Sequence, residues 1–108
     1  MAQPHELERR SQELQAKFEE LLESRNVYYN PPASVKMKYD AIVFSRSNIG
    51  NTFANNYIYN QRHRYQVTVV TYDPDAEIIS KISRLPMCTF DRHFVSDGLH
   101  HNVFTLYY

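Results

Sequence analysis

Asp73, Asp75 and Glu77 place three carboxylates within five residues, the side chains a nuclease uses to hold a divalent cation. The run Asp73-Pro74-Asp75-Ala76-Glu77 also has the form of a helix start. Asp73 is placed to cap, Pro74 suits the first helical position, and the remaining acids favour the positive end of the helix dipole. Capping accounts for all three acids. His93, His100 and His101, with Asp97 and Cys88, carry the donor atoms of a zinc site. Adjacent His100 and His101 point to opposite faces of a strand, and no Cys-x-x-Cys or His-x-x-x-His spacing accompanies them. They read as solvated histidines beside a turn. Cys88, with Met87 and Phe90 around it in an apolar strand, reads as a small buried hydrophobe and not as a nucleophile. No catalytic, cofactor-binding or metal-ligating set is complete, so the chain reads as a non-enzyme without a cofactor. Arg46, Arg62, His63 and Arg64, with Tyr57 and Tyr59 between them, form a basic-aromatic cluster. Such clusters bind single-stranded nucleic acid in some proteins, but Arg and Tyr also dominate protein contacts, and a protein partner is the better expectation here.

Composition bounds the rest. The 108 residues suit one domain spanning 1–108, and their 12 basic and 12 acidic side chains leave no net charge. That balance argues against a broad grip on DNA phosphates, though not against a pore that DNA slides through. Nine tyrosines and no tryptophan give more amphipathic aromatic surface than a small monomer needs, which suggests an interface. The single Cys88 leaves no internal disulfide and suits a reducing compartment. No apolar run is long enough to span a bilayer, and the N-terminus lacks the pattern of a secretory signal, so the expectation is a soluble protein made in the cytoplasm.

The elements that must position these residues follow from periodicity. Leu7, Leu14, Phe18, Leu21 and Leu22 recur at helical spacing and predict an amphipathic helix over 6–25, ended by Asn26. Pro31-Pro32 forces an extended connection. Strands are predicted over 39–45 and 65–72, the second strongly β-branched, with a long polar loop from Arg46 to Arg64 between them. Ile78, Ile79, Ile82 and Leu85 predict a second helix over 75–85, ended by Pro86. Strands over 87–95 and 101–107 close the chain. The expected fold is α+β: one mainly antiparallel sheet of about four strands in the order α-β-β-α-β-β, with both helices packed on it.

The final hairpin can be read more finely. A two-residue Asp97-Gly98 turn sets Phe90 opposite Thr105 and splits the apolar residues between two faces. A shift of one residue sets Phe90 opposite Leu106 and Arg92 opposite Phe104, and unites the apolar residues on one face. A longer connection, or a bulge at Gly98, is therefore expected. The expected core is Phe18, Val67, Val69, Ile78, Ile79, Ile82, Phe90 and Leu106. The loop aromatics Phe53, Tyr57 and Tyr59 and the neighbouring Asn55 are left for a partner, as are Arg46, Arg62, Arg64, Tyr107 and Tyr108.

The last block, LPMCTFDRHFVSDGLHHNVFTLYY from Leu85 to Tyr108, ends inside a strand, so its final residues are expected to be pinned by pairing or by a neighbour. Its Leu-Pro-Met-Cys, Phe-Asp-Arg and terminal Phe-x-Leu-Tyr-Tyr resemble the small tail-completion proteins of long-tailed phages and prophages of Gram-positive bacteria, also called minor capsid or head-tail connector proteins. The resemblance extends through Pro31-Pro32, the strand around Ile42 to Phe44, and Arg64 to Val69, roughly residues 25–108. The element order is similar to the tail terminator fold. What the resemblance implies is a homo-oligomeric ring in the virion neck, usually a hexamer, assembled in the host cytoplasm. Such a ring caps the major tail tube protein, stops its polymerisation and docks on the head-tail connector or stopper, while double-stranded DNA passes through the lumen. The alternatives are a head-completion or stopper protein on the connector side and, from another class, a small phage accessory enzyme or nucleic-acid-binding factor.

Overall fold

The computed structural model describes residues 6–50 and 62–108. Two helices and a five-stranded mixed sheet follow in the order α1 (Glu6–Leu22), β1 (Val27–Tyr29), β2 (Ala41–Gly50), β3 (Arg62–Thr71), α2 (Glu77–Ser83), β4 (Cys88–Ser96) and β5 (Leu99–Tyr107). Across the sheet the order is β1-β2-β3-β5-β4. The α+β class holds, but the expected four-stranded antiparallel sheet does not. Val27 to Tyr29 add a fifth strand, parallel to β2. This strand is too short to show periodicity, and the prolines after it mask it as a connection.

Helix α1 buries Ser11, Leu14 and Phe18, spaced to fall on one stripe, with Leu21 and Leu22 partly covered at its end. It stops three residues before the expected boundary at Arg25. Glu23 turns to φ 57°, its N–H donates to Glu20 O, and Ser24 N–H donates to Glu19 O, a pattern that satisfies the last carbonyls. Phe18 meets Phe44 of β2 edge-on at 5.1 Å, and Phe44 also contacts Tyr29 and Tyr65. The core beneath the helices holds Val27, Ile42, Phe44, Tyr65, Val67, Val69, Ile78, Ile82, Phe104 and Leu106.

Helix α2 is shorter than the expected 75–85. Asp73 does not cap it: its Oδ1 accepts from Asp75 N–H and its carbonyl from the Thr71 hydroxyl, so Asp73 to Asp75 form a turn before the helix. The N-cap position falls to Ala76, which has no side chain to donate or accept. Ile78 and Ile82 are buried, and Ile79 is partly so. Lys81 Nζ donates to Leu21 O at 3.3 Å and ties the two helices together.

The segment expected as a loop from Arg46 to Arg64 starts and ends as sheet. β2 runs on to Gly50 and β3 begins at Arg62, paired through Gly50↔Arg62 with an irregularity at Ser47. Backbone pairing needs no apolar side chains, which is why the polar sequence concealed these arms. Phe53, Asn55, Tyr57 and Tyr59 lie outside the described residues.

Candidate interaction surface

Among the described residues strand β4 forms one edge of the sheet, paired with β5 alone. Its hairpin closes through a two-residue turn, Asp97 at φ 54° and Gly98 at φ 76°, with Ser96 opposite Leu99. Both central residues take positive φ, as the tight primed turn requires, and Asp-Gly is the dipeptide that supplies it. The expectation of a longer connection is thus corrected. A one-residue shift occurs within the strand instead, between Phe90 and Arg92, and in the opposite direction: Phe90 pairs with Phe104 and not Leu106, and Arg92 with Val103 and not Phe104. Asp91 is the extra residue of a bulge, so Phe94 faces His101 on one side of it while Phe90 faces Phe104 and Cys88 faces Leu106 on the other.

The bulge brings Phe90 to the helix side of the sheet, its ring 5.6 Å from that of Phe104. It does not bury it. Phe104 is 1% exposed and Phe90 is 57% exposed, because the cover over β5 does not continue along β4 past Cys88. Phe90 therefore leaves the expected core. Met87, Phe94 and Val95 are exposed with it, Phe94 stacked on His101 at 4.6 Å on the far face. Mid-strand, Arg92 Nη1 pairs with Asp91 Oδ2 at 3.2 Å. A bulge and charges on an edge discourage straight addition of another strand. What the hairpin offers a partner is apolar side chains on its faces.

The last residue behaves differently. Tyr108 exchanges backbone hydrogen bonds with His63, its carbonyl accepts from Arg10 Nη1 at 3.1 Å, and its hydroxyl donates to Glu13 Oε2 at 3.1 Å. Burial, then the Glu13 hydrogen bond and charge, push its phenol above the usual range. Tyr108 is thus spent on its own helix and sheet, and it is not the free anchor that was expected. Tyr65 nearby is fully buried; burial raises its phenol and Ser11, Arg46 and Arg10 oppose the rise.

The remaining candidates do not converge. Arg46 sits opposite Tyr65 on the helix side, whereas Arg64 lies opposite Tyr107 on the far face, where its Nε donates to Ser47 Oγ. The cluster expected from Arg46, Arg62, His63 and Arg64 is therefore divided by the sheet, with His63 buried; the Arg62 side chain lies outside the described residues. Tyr107 is exposed beside Arg64. Cys88 is half-buried, and desolvation raises its thiol. Among the described residues no three His, Cys, Asp or Glu side chains gather as a metal site, and no helix is long and apolar enough to cross a membrane.

Two features escaped the sequence. One is the exposed set Met87, Phe90, Phe94 and Val95, of which only Phe90 carried an expectation, and that was inward, although apolar residues at both parities flanking a charged Asp-Arg centre are a visible signal of an uncovered edge. The other is a close pair, His93 Nε2 to His100 Nδ1 at 3.1 Å, which only the hairpin register brings together. The class defined by this geometry is a small α+β domain with an uncovered, apolar edge hairpin. Comparisons with protein-family models, curated proteins and solved structures find no match to the chain.

Proposed function

We propose that the chain is a structural subunit that works by contact and not by catalysis, with the β4–β5 hairpin as its principal assembly surface and a second copy as its first partner. The carrying observation is the exposed apolar set on β4, beside a core that already buries its own aromatics. Such a patch on a small domain needs a partner to remove it from water. On the ring reading these contacts are head-to-tail, with β4 of one copy seated on a different surface of the next, and they close where the rotation permits.

The finer reading rests on the resemblance of the Leu85 to Tyr108 block, within which this hairpin falls. On it the ring is a tail terminator in the neck of a long-tailed phage, assembled in the bacterial cytoplasm. It caps the tail tube, docks on the connector and passes DNA without holding a sequence. A stopper on the connector side would use the same surfaces, and gene order beside the major tail protein separates the two. Electron microscopy of the purified chain tests the shared element. Closed rings support the reading, and open filaments or dispersed single chains contradict it.

A further inference from the structure

His93 on β4 and His100 on β5 are diagonal neighbours across the hairpin, set by the pairs His93↔Asn102 and Val95↔His100. Both project on the helix side, beyond the cover of the helices. Their rings lie nearly parallel, 16° apart with centroids at 5.4 Å, and Nε2 of His93 stands 3.1 Å from Nδ1 of His100. Two neutral imidazoles so placed share one proton: one N–H donates and the other lone pair accepts. The same two nitrogens are also spaced as neighbouring ligands of one ion. With metal–nitrogen bonds of about 2.0–2.1 Å, two such ligands stand about 2.9 Å apart at a right angle and about 3.3 Å apart at the tetrahedral angle. The observed separation falls between.

A second observation lies beside the pair. Asn102, directly opposite His93 and on the same face, is buried, and its Nδ2 has no hydrogen-bond partner among the described residues. A buried amide left unpaired is costly, and its two ends are assigned from their surroundings. Turned over, Asn102 presents Oδ1 where the amide nitrogen stands, an acceptor on the same face of the sheet as the two imidazoles. His101, by contrast, points to the opposite face, its ring stacked on Phe94 and its Nδ1 within 3.1 Å of Leu99 O.

We propose that His93 and His100 form a two-imidazole site for an imidazole-preferring divalent transition-metal ion, Zn2+, Ni2+ or Cu2+, with Asn102 beside it. Two protein nitrogens leave the remaining positions open, so the ion exchanges with solvent and does not hold the fold. The site does not rest on the assembly reading, although His93 shares the helix-side face of the hairpin with Phe90 and Val95.

The test is calorimetric titration of ZnCl2 into the full chain without an affinity tag, compared with His93→Gln, His100→Gln and His101→Gln. Loss of an outer-shell partner alone costs about 10–100-fold in metal affinity, so losing a ligand should weaken binding at least about tenfold. The expected result is saturable binding weakened by that factor in the first two variants and unchanged in the third. Imidazole nitrogen resonances should agree, with those of His93 and His100 moving on addition of Zn2+ and those of His101 staying. Binding equally strong in His93→Gln, no saturable binding below about 1 mM, or shifts confined to other histidines would each overturn the site.

Discussion

Phe104 and Phe90 are cross-strand partners whose rings touch, yet one belongs to the core and the other to the surface. The same division separates the two parts of the sheet. From β1 to β5, α1 and α2 cover the helix-side face, and Phe18, Phe44, Tyr65 and Phe104 interlock beneath them. At β4 the cover ends, and Cys88 is the only one of its nine residues that is even half-buried. The contrast teaches that a strand's own pattern chooses which residues share a face, while the reach of the helix layer decides whether that face is buried. The seven-residue α2 meets the edge strand, but Cys88 at the start of β4 is the only residue of that strand left partly buried.

The contrast can be broken by truncation. Phe44→Ala or Phe104→Ala should cost about 3–5 kcal/mol, the usual range for a buried phenylalanine. Phe90→Ala should cost about 1 kcal/mol or less, since more than half of the side chain is already in water. Chemical denaturation measures both, and equal losses would show that β4 is as tightly packed as β5. Gly98→Ala should follow at about 1–2 kcal/mol. No atom lies within 4 Å of an added Cβ, so the cost comes from the φ of +76° alone. A negligible loss would mean that the tight turn is not what fixes the hairpin.

Titration sharpens the comparison from the other end of the molecule. Tyr65 and Tyr108 both have phenols raised from 10.0, and Cys88 has a thiol raised from 9.0. A raised folded-state value means that the unfolded chain loses its proton first. The stabilising contribution is therefore complete below these ordinary values and is lost as pH climbs through the higher folded ones. The unfolding midpoint should decline from about pH 9 upward, less steeply in Tyr108→Phe. A flat profile to pH 11 would contradict the burial of these groups. Smallest of all, Asp91→Asn should change stability by about 0.5 kcal/mol or less, because the Asp91–Arg92 pair is solvent-exposed.

Much of the buried region was legible in the sequence, because burial there follows repetition. Leu14 and Phe18, Val67 and Val69, and Ile78 and Ile82 recur at the periods of their elements and are buried where expected. Strand β1 was not legible, since three residues carry no period. Neither were the outer arms of β2 and β3, whose pairing is a property of the backbone. The hairpin was half legible. Apolar matching asked for a one-residue shift, but the bulge at Asp91 supplies it in the opposite direction, setting Phe90 against Phe104 and not against Leu106. The His93–His100 contact was hidden for the same reason, since it depends on that register and not on spacing along the chain.

The claim that the β4–β5 hairpin is an assembly surface is tested most directly by light scattering on the size-separated protein, comparing the wild-type chain with Phe90→Ser/Phe94→Ser. The wild type should elute as one discrete oligomer, and the double variant as a single chain with an unchanged circular-dichroism spectrum. A monomeric wild type, or an oligomer of the same mass in the variant, would contradict the claim.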